Sequence, residues 1–167
     1  MSQYRPPVRE IPSVLFTTAG WIRGTYHVPQ LHGFMDFLGK AGDFLKLTDV
    51  NLPHLKKHLR FFGLRRNAAM MIIPDCAEEM LHLPKPLART RNIPVSFLLE
   101  SGSITGSLAL EGEIRTSDFL TKENRWIILR ECVLGTSSSG GAAQETRFPL
   151  LLLNSTCVIG ASEEAFT

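Results

Sequence analysis

Cysteine is scarce in this chain of 167 residues: Cys76, Cys132 and Cys157 are odd in number, widely spaced, and form no CxxC. That excludes a disulfide framework and points to a reducing compartment. No apolar run is long enough to cross a bilayer as a helix; the longest, "FPLLLLN" at 148–154, is strand-sized. The first residues, "MSQYRPPVREIPS", lack the apolar core of a signal peptide. A soluble, cytoplasmic protein without a membrane span is expected.

The motifs of common chemistries are missing as well. Neither GxxxxGK(S/T) nor GxGxxG occurs, so no glycine-rich loop is set to cradle a phosphate. No GxSxG elbow is present, and "TSSSGG" at 136–141 has the composition of a flexible loop. Cys76 lies beside Asp75 and Glu78, which raise a thiol pKa rather than lower it. Carboxylate doublets are confined to Glu78-Glu79 and Glu163-Glu164, in a linker and a tail. His54 and His58 have the i, i+4 spacing of a helical metal pair, but no third ligand type is near and an exposed loop explains them better. These absences argue for a protein that is not an enzyme, with no cofactor and no metal.

What remains is globular in composition, with 44% hydrophobic and 20% charged residues and a net charge of +2. The dominant feature is an internal repeat. "IPSVLFTTAGWIRGTYHV" at 11–28 lies over "IPVSFLLESGSITGSLAL" at 93–110, at a constant offset of 82. Gly20, Ile22 and Gly24 match Gly102, Ile104 and Gly106. Without a gap, Asp36, Phe37 and Leu38 then match Asp118, Phe119 and Leu120, and Leu47 and Leu52 match Leu129 and Leu134. Beyond Leu134 the second copy inserts "GTSSSGGAAQE", after which Asn67 realigns with Asn154 at an offset of 87.

Each copy reads as β. Residues 14–18 and 21–28 alternate in polarity around Ala19-Gly20, a hairpin signal, and Gly20 and Gly102 supply the freedom a tight turn needs. Gly24 and Gly106 fall inside the second strand, where glycine marks a bulge or a sharp bend. The Asp-Phe-Leu unit reads as one helical turn, with Thr116-Ser117-Asp118 as its cap in the second copy. Its Phe and Leu would plug one end of a small sheet. "FLKLTDVNL" and "WIILRECVL" are third strands, and a connector and last strand near 64–73 and 148–160 complete a meander. The fold class expected is all-β: two tandem small Sm-like or SH3-like β-barrels related by duplication. The boundaries are an N-terminal tail 1–10, a first barrel 11–74, a linker 75–92 and a second barrel 93–162. Pro84 and Pro86 keep the linker from continuing any helical turn.

One charged cluster stands out. Lys56, Lys57, Arg60, Arg65 and Arg66 lie between Pro53 and Pro74 with no acidic residue, and Phe61 and Phe62 are interleaved. Basic side chains beside aromatics suit a single-stranded nucleic acid, although a solvated basic hairpin has the same composition.

"GWIRGTYHVPQLHGFMDFLGKAGDFLKLTDV" and "RNAAMMIIP" resemble a family of small, uncharacterised bacterial domains with a DFL turn followed by an FLxLTDV strand. The resemblance implies a small Sm-like or SH3-like barrel and carries no assigned chemistry. Copy two departs from it, with Glu111 for Pro29 and Arg130-Glu131 for Thr48-Asp49. The function expected is a non-enzymatic protein-interaction or self-assembly module, an adaptor or scaffold that forms a homo-oligomer or binds a protein partner through strand edges. The alternative is nucleic-acid binding by the basic segment 54–66.

Overall fold

A computed structural model describes residues 4–52, 54–122, 126–137 and 143–163. The chain is mostly β and divides into two units, Met1–Pro84 and Lys85–Thr167. The first holds β1 (Val8–Thr17), β2 (Gly20–Pro29), α1 (Phe34–Lys40), β3 (Phe44–Asn51), β4 (His58–Arg65) and β5 (Ala69–Pro74). The second holds β6 (Thr90–Leu99), β7 (Gly102–Glu111), α2 (Thr116–Thr121), β8 (Trp126–Ser137), β9 (Ala143–Asn154) and β10 (Gly160–Glu163). Strand order is β5-β1-β2-β3-β4 in the first unit and β10-β6-β7-β8-β9 in the second. The repeat is therefore a repeat of topology, strand for strand.

These are open antiparallel sheets, not the closed barrels expected. Closure would need a ladder from β4 to β5 or from β9 to β10, and none exists among the described residues. β4 leaves through a 3-10 turn at Arg66–Ala68, and β5 then bonds to β1 from Ser13 to Thr17. β1 begins at Val8, inside the stretch read as a tail, and β6 at Thr90, inside the stretch read as linker.

Alternation builds each core. In β1 the inward positions are Arg9, Ile11, Ser13, Leu15 and Thr17; in β2 they are Ile22, Gly24, Tyr26 and Val28. Thr18-Ala19 close the β1–β2 hairpin, where Thr17 Oγ1 accepts from the Ala19 N–H and donates to the Gly20 carbonyl, and Gly20 has φ +109°. Gly102 ends the matching hairpin for a different reason. Its backbone is nearly extended, but a Cβ there would collide with the Gly135 carbonyl oxygen.

The strand glycines do mark bulges, and each bulge has a partner. The β2–β3 register shifts between Arg23 and Thr25, and the β7–β8 register between Thr105 and Ser107. The extra residue is Asp49 in one unit and Glu131 in the other, at φ +52° and +50°. A Cβ on Gly24 would lie 3.0 Å from Val50 Cγ2, and one on Gly106 3.1 Å from the Arg130 carbonyl oxygen. Each glycine thus lets the bulged strand come close, and the added residue increases the local twist.

The Asp-Phe-Leu units lie on α1 and α2, as single short helices. In α1, Leu38 and Phe34 are buried, and the rings of Phe34 and Phe37 stand 5.3 and 6.2 Å from that of Tyr26. Asp36 bonds Lys40 at 3.0 Å on the exposed side. In α2, Phe119 and Leu120 are half-buried and Asp118 is exposed. The expected cap does not form from Thr116-Ser117-Asp118. Glu163, arriving on β10, accepts from the Thr116 N–H at 3.1 Å and from its hydroxyl at 2.5 Å. A carboxylate brought by a distant strand does the work that a local Ser or Asp does elsewhere.

The insertion in copy two lengthens a hairpin. β8 and β9 have 12 residues each against 8 in β3 and β4, and they stay paired from Trp126↔Asn154 to Ser137↔Ala143. Residues 138–142 of the Ser/Gly-rich stretch lie outside the described residues. Register also corrects the alignment. Phe44 pairs with Arg65 and Trp126 with Asn154, so Asn154 corresponds to Arg65, at an offset of 89 rather than 87. The apolar run read as one final strand is split between β9, a 3-10 turn at Ser155–Cys157, and β10.

Candidate interaction surface

The five basic residues singled out in 54–66 do not act as one group. Lys56 and Lys57 are exposed in the loop before β4, and Arg60 is exposed on β4. Arg65 ends β4 with its guanidinium 5.0 Å from the centre of the Phe44 ring, a cation–π contact. Arg66 is half-buried; its Nη1 donates to the Ala41 carbonyl at 2.6 Å and its backbone N–H to Asp43. It is thereby committed to the turn that leads into β3. The interleaved phenylalanines part as well. Phe61 is 63% exposed, while Phe62 pairs with the buried Leu47 and is half-buried.

His54 and His58 are not on a helix. His54 is in a turn, and His58 opens β4 opposite Asn51, its Nε2 3.0 Å from Asp49 Oδ1. No group of three His, Cys, Asp or Glu side chains able to hold a metal occurs among the described residues. The three thiols are free, and burial pushes each of them up: Cys132 to about 12, Cys76 with added repulsion from Asp75, and Cys157 with added repulsion from Glu100. None is in the thiolate-favouring surroundings of a nucleophile. No helix is long and apolar enough to cross a membrane among the described residues.

Two arginines outside every sequence motif turn out to be repeated structural parts. Arg9 is buried, and its guanidinium donates to the carbonyls of Pro29, Gln30, His32 and Met80 at 2.6 to 3.2 Å. Arg91, offset by 82, donates to Gly112 and Ile114 at 2.7 and 3.0 Å, the counterparts of Gln30 and His32. Each clamps the loop between a second strand and the following helix. In the first unit the clamp also holds the 3-10 turn Glu78–Leu81, so this part of the stretch read as linker is anchored by the Met80 carbonyl and the buried Leu81. The sequence signal was available: Arg9 and Arg91 extend the aligned block two positions toward the N-terminus.

The remaining accessible features are strand edges. Within the first unit β4 bonds only to β3, and it carries exposed His58, Arg60, Phe61, Gly63 and Arg65. Within the second unit β10 bonds only to β6, with Ala161, Ser162 and Glu163 exposed. No protein family, curated protein or solved structure matches the chain.

Proposed function

We propose that this chain is a non-enzymatic interaction or self-assembly module that takes up a protein partner, or another copy of itself, by adding a strand to an open sheet edge. The supporting observation is β4: eight residues, one hydrogen-bonding neighbour in its unit, and no proline along its length. An edge of that length presents a row of unpaired backbone groups, a template for another strand. The duplication of the unit, strand for strand, supports the same reading.

The edge chemistry limits the geometry. β4 carries Arg60 and Arg65 and no carboxylate, so a second β4 would add only positive charge to this edge, whereas an acidic strand complements it. β10, with Ser162 and Glu163, offers no such repulsion. A heterologous pairing of β4 with β10 of another copy, or with an acidic strand of another protein, follows.

Size-exclusion chromatography with light scattering over a range of concentrations tests self-assembly. Wild-type protein should give a defined multimer, and Gly63→Lys in β4 or Ser162→Lys in β10 should each reduce it to monomer. A monomer at every concentration would remove self-assembly. In that event, the partner-binding form of the proposal requires that a protein co-purified with the wild-type chain be lost with Gly63→Lys.

A further inference from the structure

The β3–β4 ribbon has two faces, and only one of them belongs to the core. Leu45↔Leu64 and Leu47↔Phe62 point inward. The alternate pairs are Phe44↔Arg65, Lys46↔Gly63 and Thr48↔Phe61, and these share the outward face. Phe44 is 48% and Phe61 63% exposed, on a face where Lys46, Gly63 and Arg65 are exposed too. Gly63 keeps the middle of this face low: the nearest atom to a Cβ there would be Phe44 Cδ1 at 3.7 Å. Lys56 and Lys57 lie in the loop that enters β4 at the Phe61 end.

Counterpart positions in copy two lack this chemistry. Offsets of 82 and 89 place Trp126, Ile128, Leu150 and Leu152 where copy one has Phe44, Lys46, Phe61 and Gly63. That set is wholly apolar, with Trp126, Leu150 and Leu152 buried. Both copies thus keep the ribbon, while exposed rings separated by cations occur in the first copy and not at the matching positions of the second.

We propose that the outward face of the β3–β4 ribbon binds single-stranded nucleic acid, with Phe44 and Phe61 as stacking platforms and Lys46, Arg65, Lys56 and Lys57 pairing with phosphates. The rings are four strand steps apart, about 13 Å, so they engage separate bases. Arg65 lies over Phe44 at 5.0 Å from the ring centre, so the guanidinium covers one ring face and presents its own plane and charge to a base and its phosphate. Of the acidic residues nearby, Asp49 is engaged by His58, Asp43 is exposed next to Phe44 and opposes phosphate at that end, and 54–66 contains none, so the phosphate-pairing charge lies toward Lys46, Lys56 and Lys57. An acidic peptide would need the lysines but not two solvent-facing rings on one face of the ribbon. The surface differs from the basic segment seen in sequence, since Phe44 and Lys46 lie outside that segment and Arg66 is turned to the Ala41 carbonyl.

Fluorescence anisotropy of a labelled oligothymidylate of about a dozen nucleotides tests this with the full chain. Saturable binding is expected at low salt, weakening about 50-fold from about 50 to about 200 mM salt if four phosphates are paired. Phe61→Ala should weaken it about ten-fold or more, Phe61→Trp should retain it, and Lys46→Glu with Arg65→Glu should abolish it. Ile128→Ala in copy two should change nothing. Circular dichroism confirms that each variant is folded. No binding at low salt would overturn the proposal. Binding indifferent to both Phe61→Ala and Phe44→Ala would reduce it to diffuse charge attraction, and displacement by polyglutamate as readily as by oligothymidylate would reassign the face to an acidic protein.

Discussion

Replacing Glu131 by glycine should stabilise this protein, although glycine inside a strand ordinarily weakens it. Glu131 is exposed, lies within β8, and has φ +50°, where a Cβ crowds the backbone. Holding a non-glycine residue there costs about 1–2 kcal/mol. Glycine removes that strain but adds backbone freedom to the unfolded chain, worth about 0.5–1 kcal/mol in the opposite direction. The net gain is about 0.5–1 kcal/mol, or about 1–4 °C in melting temperature if a chain of this size unfolds as one unit. Glu145 provides the control, being exposed on β9 at an ordinary backbone angle and paired with Gly135. Glu145→Gly should destabilise by about 0.5–1 kcal/mol. Asp49→Gly should gain less than Glu131→Gly, because aspartate tolerates the left-handed region better and its carboxylate holds His58 at 3.0 Å. Urea titration followed by circular dichroism measures all three. If Glu131→Gly lowers the midpoint as much as Glu145→Gly does, the bulge is not strained and the account of the repeated bulge is wrong.

Three other outcomes follow from the same packing. Arg9→Ala should destabilise by about 2–4 kcal/mol, since it leaves four carbonyls of a buried clamp without their donor, whereas Arg91→Ala, at an exposed clamp, should lose about 1 kcal/mol or less; equal losses by urea titration would contradict the difference in burial. Tyr26→Phe should raise the melting temperature. The Tyr26 hydroxyl is buried with no hydrogen-bond partner among the described residues, burial pushes its phenol pKa far above the usual range, and removing it relieves about 1–3 kcal/mol of desolvation. Bonds from the Thr116 hydroxyl and N–H, with Arg91 and Arg115 nearby, hold the Glu163 carboxyl below the ordinary glutamate value. Its folded pKa is thus lower than its unfolded one, so its contribution is full above the ordinary glutamate pKa and disappears as pH falls through the folded value. The stability gap between wild type and Glu163→Gln should therefore close on acidification, and a gap that stays constant with pH would show that the charge is not involved.

Much of the architecture was legible along the chain. Strand glycines and large apolar residues recur at the offset of 82, and the structure repeats the strand order to match. Alternation identified β1, β2, β6 and β7 because one face of each is buried, the condition under which the period of two is visible. β4 was harder. An edge strand with exposed His58, Arg60, Phe61 and Arg65 has no clean alternation and reads as a charged hairpin. The candidate surface was legible only in part for a related reason. Lys56, Lys57 and Arg60 are neighbours in sequence, whereas Phe44 reaches Arg65, and Lys46 faces Gly63, only once the register of β3 on β4 is set.

The sequence by itself determined the duplication, the β character of both copies, the places where each second strand bends, and the lack of any recognisable catalytic or phosphate-binding motif. These are local properties of residue type and spacing. Tertiary structure alone decided that the sheets stay open, that Asn154 corresponds to Arg65, that Glu163 caps α2, and that Arg9 clamps four carbonyls. Each depends on a pairing between residues distant in sequence. Such pairings follow from which edges find hydrogen-bond partners and which buried polar groups find donors, and those choices are made by the whole packed chain rather than by any stretch of it.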